Sequence, residues 1–163
     1  MSVSHEQGAT LLPIAVARLK EKGELKQDVN VFFDSGAQVS MIRCILAESL
    51  GLEDKKIKIF LTKVGGTKEE PDTMLYNMTL CNRNNIPVQA INAVGIPQII
   101  DDVMDIDVKM ISRKFSVPAE KLRRKPDPIE ILIGINYPKV HVGETTVKDG
   151  PVLRKGPLGY VVF

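Results

Sequence analysis

The stretch Val29-Asn30-Val31-Phe32-Phe33-Asp34-Ser35-Gly36-Ala37-Gln38-Val39-Ser40 decides how the rest of the chain is read. Val29 to Phe33 has the β-branched and aromatic content of a buried strand. The run ends abruptly in Asp34, an unfavourable place for a charge unless something there uses it. Ser35, Gly36 and Ala37 follow, small residues that permit a tight turn and the close approach of another backbone. A plainer reading competes, in which Asp34 only closes the strand end with an Asx-turn.

Upstream, residues 1–8 are polar and are expected to fray, leaving 9–163 as one domain. Leu11 to Leu19 alternates loosely as a strand. The charged Glu21-Lys22-Gly23-Glu24 then makes a solvated turn into the strand that carries Asp34. Downstream, Ser40 is placed to cap a helix. Ile42, Ile45, Leu46 and Leu50 are spaced for one apolar face, and Gly51 is a natural stop. Ile57 to Leu61 has strand alternation, Lys63 to Lys68 reads as a hairpin tip or loop, and Leu75 to Leu80 as the next strand. Glu69-Glu70-Pro71-Asp72 is expected to be a solvated loop. Asn82 to Asn85 is a turn, and Ile86 to Val94 is a strand with Pro87 at its start or on an edge.

Between Ile99 and Phe115 two signals conflict. Asp101, Asp102, Asp105 and Asp107 precede Lys109, Arg113 and Lys114, an order that suits a helix dipole. Ile106, Val108 and Met110 nevertheless alternate, and the segment is read as a strand or extended. The aspartates lack the Gly and Glu placement of a calcium loop and read as a solvated face. Ser116-Val117-Pro118-Ala119-Glu120 reads as the start of a short helix that ends before Pro126, with Lys121 to Lys125 as its charged face. Ile129 to Ile133 is a buried strand stopped by Gly134. Asn136 then stands where a polar side chain can tie down a neighbouring turn. Lys148-Asp149-Gly150-Pro151 turns Thr145–Val147 into Val152–Leu153, and Leu158 to Phe163 is a last apolar strand.

Asp34-Ser35-Gly36-Ala37 resembles the Asp-Ser/Thr-Gly-Ala signature of retroviral-type aspartic proteases, the retropepsins. Glu130-Ile131-Leu132-Ile133-Gly134-Ile135-Asn136 resembles the apolar-apolar-Gly-x-Asn/Asp element that closes the same fold. The surroundings look most like the protease domain of Pao-type (Bel/Pao) retrotransposons. There, a Leu-Leu-Pro entry strand, here Leu11-Leu12-Pro13, precedes the signature. A Thr/Lys-x-x-Gly-aromatic strand, here in Arg154-Lys155-Gly156-Pro157-Leu158-Gly159-Tyr160, closes the domain. The likeness spans residues 9 to 163 and is weakest from 98 to 128. It implies a mainly β, retropepsin-like closed barrel of acid protease type, with one or two short helices.

The resemblance implies Asp34 as the catalytic residue and Ser35, Gly36 and Ala37 as its turn. Val64, Gly65, Gly66 and Thr67 become the tip of a flap over the substrate, and Ile133, Gly134 and Asn136 the fold-closing element. An ordinary glycine turn is the competing reading of the flap residues. Retroviral relatives carry Arg between the Gly and the Asn; here it is Ile135, so that arginine's ion pair at the dimer base is missing. Pro138 shortens the helix that follows.

Two carboxylates about 3 Å apart cannot both ionise, so they share one proton. The ionised member then takes a proton from water, and the other donates to the carbonyl oxygen. The chain holds a single Asp-Ser/Thr-Gly, so a dyad needs two chains. The expectation is a homodimeric aspartic endopeptidase that processes a retroelement polyprotein. Ser35 orients the carboxylates or bonds across the axis, Gly36 lets the turns approach, Ala37 lines the cleft floor, and Leu158 to Phe163 serves the interface. The alternative is a non-catalytic, domesticated peptide-binding or dimerisation module of the same fold.

The remaining composition narrows the classes. The chain has 163 residues, 44% hydrophobic and 26% charged, which suits one globular domain. A net charge of +2 is too small to favour nucleic acid as a partner. No run approaches the roughly 20 apolar residues of a membrane span, and no signal peptide is recognisable. Cys44 and Cys81 do not make a disulfide framework, which points to a reducing compartment such as the cytoplasm; a retroelement particle within it is what the resemblance implies. The end on Phe163, without a polar tail, fits a domain cut from a longer polyprotein. No metal or cofactor is expected: His5 and His141 stand far apart, and Gly65-Gly66 and Gly134 lack a phosphate-loop context.

Overall fold

The computed structural model describes residues 11–58, 61–62, 68–69, 72–100 and 105–163. Two long strands begin it. β1 (Ile14–Glu21) and β2 (Glu24–Phe33) pair antiparallel, from Ile14 opposite Phe32 to Glu21 opposite Glu24. Lys22 (φ 51°) and Gly23 (φ 79°) both take positive φ, the turn geometry whose twist matches a two-residue hairpin. Leu11 to Pro13 lies outside β1, and the Pro13 carbonyl accepts from the Phe33 N–H at 2.9 Å. Glu21 is not solvated as expected. It is 8% exposed, and its carboxylate accepts from the Glu53 N–H.

After the Asp34 turn the chain forms β3 (Met41–Arg43) and then α1 (Cys44–Leu50), which ends on a left-handed Gly51. Ser40 does not cap this helix. β3 is drawn between two other strands, so helix formation starts later, with Arg43 in the cap position. The shift turns Ile45 outward, 66% exposed, while Ile42, Leu46 and Ala47 are buried. β4 (Asp54–Lys58), β5 (Leu61–Thr62) and β6 (Lys68–Glu69) follow, with β5 and β6 paired antiparallel. The flap candidates Val64, Gly65, Gly66 and Thr67 lie outside the described residues. β7 (Asp72–Cys81) and β8 (Pro87–Ile96) form a second long hairpin. Its turn is held by Asn82 Oδ1, which accepts from the N–H groups of Asn84 and Ile86.

The segment before Phe115 corrects the sequence reading: α2 (Val108–Phe115) stands where a strand was expected. Asp107 Oδ1 caps it by accepting from the Met110 N–H at 3.1 Å, and Arg113 and Lys114 lie in its last turn. The buried pair is Ile111 and Phe115, four residues apart, whereas Met110 is 38% exposed. Cap and charge order therefore outweigh the short alternation. Ser116 (φ 56°) closes α2 rather than opening the next helix, and only a 3-10 turn, Ala119–Lys121, follows. Asp101 and Asp102 lie outside the described residues.

β9 (Ile131–Ile133), β10 (Glu144–Val147), β11 (Val152–Gly156) and β12 (Gly159–Val162) complete the chain. The strand order β1-β2-β9-β3-β8-β7, closed by pairing of β1 with β7, is a six-stranded barrel; β4 adds to β7. β10, β11 and β12 form a separate sheet. The fold is thus mainly β, a closed barrel with two short α-helices among the described residues, consistent with a retropepsin-like barrel. Its core holds Leu19, Val29, Val31, Ile42, Leu80, Ile131 and Ile133. Burial of each such side chain contributes about 1.5–3 kcal/mol. A second cluster, with Ile111, Phe115, Leu122, Leu153 and Val162, seals α2 against the C-terminal sheet.

β9 is the strand that matters for the site, and Asn30 and Glu130 hold its approach. Asn30, 3% exposed inside β2, donates from Nδ2 to the carbonyls of Lys125 (3.1 Å) and Asp127 (2.8 Å) and accepts from the Lys125 N–H at 3.1 Å. The basic run is therefore stitched to the barrel rather than a free charged face. Arg83 also donates to the carbonyls of Glu120 and Arg123. Asn30→Leu removes the partner of three part-buried backbone groups and is expected to cost about 1–3 kcal/mol. An unchanged denaturation midpoint would contradict this.

Glu130 is 5% exposed, with Lys125 Nζ 3.7 Å from its carboxylate. Burial pushes its carboxyl above the ordinary value; Lys125 and the Asn30 N–H pull it partly back. The native state then binds this proton more tightly than the unfolded chain. The group favours folding most below its ordinary pKa, and that contribution is lost as pH rises through the raised native value. Glu130→Gln removes the effect, so its Tm relative to wild type should rise as pH climbs above the ordinary carboxylate range. A pH-independent difference would rule the idea out.

Candidate active site

The barrel delivers Asp34 to the end of β2, where its N–H donates to the Ile133 carbonyl at 3.0 Å. β9 lies between β2 and β3, parallel to the first and antiparallel to the second. The chain from Asp34 to Ser40 must therefore cross over the end of β9. In that crossing Asp34 Oδ1 accepts from the Gly36 N–H at 2.9 Å, and the Asp34 carbonyl accepts from the Ala37 N–H at 3.2 Å. This is the Asx-type turn that the plainer reading also foresaw, and it orients one carboxylate oxygen. The other oxygen and the Ser35 hydroxyl have no hydrogen-bond partner among the described residues. Asp34 is half-buried, and Ser35 and Gly36 are exposed.

The fold-closing element grips the turn from below. The Ile135 N–H donates to the Ala37 carbonyl at 2.8 Å. Ser40, fully buried, donates from Oγ to Asn136 Oδ1 and accepts from the Gly134 N–H, both at 3.0 Å. A Cβ on Gly134 would sit 2.6 Å from the Ala37 carbonyl oxygen and 3.0 Å from that of Val39, so no side chain fits there. His141 Nε2 lies 2.8 Å from the Gly134 carbonyl, which can only accept, so this nitrogen carries the proton. The His141 ring meets Phe33 edge-on at 5.9 Å. Arg154 lies between the rings of Phe33 (5.6 Å) and Phe163 (5.4 Å), and burial lowers its pKa from the usual value.

The structure thus brings Asp34, Ser35, Gly36 and Ala37 together with Ile133, Gly134 and Asn136. Sequence reasoning missed Ser40 as part of this lock, because a hydroxyl before an apolar run looks the same as a helix cap. It also missed His141, for which no sequence signal existed. Val39 (44% exposed) and Ile135 (41%) form an apolar rim beside the turn. Leu158, Val161 and Val162 are already buried within their own chain. Of the interface expected there, Phe163 is exposed and Gly159 and Tyr160 are half-buried.

Other chemistries find little support in these residues. Burial, with Glu48 adding to it, pushes the Cys44 thiol up and away from a reactive thiolate. Among the described residues no group of three or more His, Cys, Asp or Glu is placed to hold a metal, and no helix is long and apolar enough to cross a membrane. A single carboxylate can take up or release one proton but cannot activate water and protonate a carbonyl at once. No protein-family model and no curated protein matches the chain.

Proposed function

We propose that the chain is one half of a homodimeric aspartic endopeptidase whose two Asp34 carboxylates activate water for peptide hydrolysis. The observation that carries this reading is the Asp34 turn, held on the protein side by Ile133 to Asn136 while Ser35 and Gly36 face outward. A two-fold axis through that exposed face would bring the carboxylates to about 3 Å, where they share one proton. The ionised carboxylate takes a proton from water as the water attacks. The protonated one donates to the carbonyl oxygen, and the tetrahedral intermediate collapses with a proton passing to the amine. The substrate is an extended polypeptide, in this reading a retroelement polyprotein.

The test is incubation with a long unfolded polypeptide at mildly acidic pH. Internal fragments, suppressed by a statine-type transition-state analogue, are the expected result. Binding of the polypeptide without fragments would leave the non-catalytic module as the better account.

A further inference from the structure

Far along the chain from the Asp34 turn, three cations converge on a cavity of about 220 Å³. Arg83 comes from the turn between β7 and β8, Lys121 from the 3-10 turn after α2, and Lys155 from β11. Asn82, Asn84, Gly156, Pro157, Gly159 and Tyr160 complete the lining, and among the described residues no carboxylate belongs to it. Arg83 is fixed in place, donating to the carbonyls of Glu120 at 2.8 Å and Arg123 at 2.9 Å. It retains further donors in its guanidinium fork. Lys155 Nζ stands 6.0 Å from the centre of the Tyr160 ring. Asp28, the carboxylate that acts on Arg83, is engaged by Arg18 at 3.2 Å. Glu144 stands opposite Lys155 in the β10–β11 ladder and Glu120 precedes Lys121, and both are exposed to solvent.

Arg83 is half-buried while Lys121 and Lys155 are exposed, and a concave cleft lined by like charges focuses positive potential that an anion can share. We propose that this cavity binds a phosphate monoester dianion, with Arg83, Lys121 and Lys155 as its charged ligands. Three cations exceed what a single carboxylate needs and suit a dianion with three acceptor oxygens. The small concave volume suits a terminal phosphate, free or on a phosphorylated serine, rather than a continuous nucleic-acid backbone. This site is independent of the proposed proteolysis.

The experiment is a titration of the isotope-labelled protein with inorganic phosphate, and separately with a phosphoserine peptide, at constant ionic strength. Both are followed by amide NMR shifts. Saturating shifts should centre on residues 82–84, 121 and 155–160. They should weaken as pH falls through the second phosphate pKa near about 6, where the dianion is lost. A Lys121→Ala/Lys155→Ala double variant with an unchanged thermal melt should bind at least about tenfold more weakly. Arg83 is left intact because it also holds backbone carbonyls. Saturation by phosphate alone identifies a free-anion site, and tighter binding of the peptide a phosphoserine site. Non-saturating shifts spread over all basic residues, or equal binding by the double variant, would overturn the proposal. So would a single-stranded oligonucleotide that binds far tighter than either probe and shifts residues well beyond the cavity.

Discussion

Asp34→Asn is expected to lower peptide cleavage by at least about 10³-fold while leaving the fold intact. The asymmetry follows from the turn. An asparagine Oδ1 can still accept from the Gly36 N–H, and the Asp34 backbone bonds to Ile133 and Ala37 do not involve the side chain. The amide cannot take a proton from water, and paired with its symmetry mate it leaves no ionised member. The measurement is kcat/KM on an unfolded polypeptide beside the thermal melt of the same sample. Undiminished cleavage would remove Asp34 from the chemistry, whatever the melt shows.

Gly134→Ala should do the opposite and damage stability and activity together. The added methyl would lie 2.6 Å from the Ala37 carbonyl, a backbone atom that cannot swing aside. Relief requires the Asp34 turn to lift from β9, breaking the Ile135-to-Ala37 bond or the Ser40-to-Gly134 bond. Overpacking of this kind costs about 1–3 kcal/mol. A displaced carboxylate should lower cleavage by about a hundredfold. Unchanged values of both would mean that the turn does not rest on β9 as described.

The legible parts of the fold were those where local chemistry and tertiary pairing agree. The two hairpins, the strand into Asp34 and the strand expected over Ile129–Ile133 announce themselves by alternation, apolar runs and turn residues. They form with shifted ends, at Ile14–Glu21, Glu24–Phe33, Asp72–Cys81, Pro87–Ile96 and Ile131–Ile133. The closed barrel could be anticipated only through the resemblance. The illegible parts are those decided by distant partners. Met41–Arg43 became a strand because β8 and β9 offered hydrogen bonds on both sides, which displaced the helix start and turned Ile45 outward. At Val108–Phe115 a helix capped by Asp107 won over a three-residue alternation. It buries Ile111 and Phe115 against the C-terminal sheet, residues that the alternation of Ile106, Val108 and Met110 would have put on the opposite face. Asn30 is the polar residue inside the otherwise apolar run Val29 to Phe33. It is the anchor for residues 125 to 127, and no pattern within its own strand could reveal that.

The same division holds at the site. Asp34, Gly134 and Asn136 were recognisable from their motifs, whereas Ser40 and His141 acquire their roles only from the crossing of the Asp34 turn over β9. The turn bonds are all made within one chain. The sequence holds one Asp-Ser/Thr-Gly, and pairing of chains is therefore the claim most exposed to experiment.

That claim is tested by mixing. Wild type and Asp34→Asn are unfolded together in equal amounts and refolded, and cleavage is compared with pure wild type at the same total concentration. Random pairing leaves about one quarter of the dimers with two Asp34 carboxylates, so activity should fall to about one quarter. Activity of about one half would mean that each chain cuts alone, and the paired-carboxylate account would be wrong.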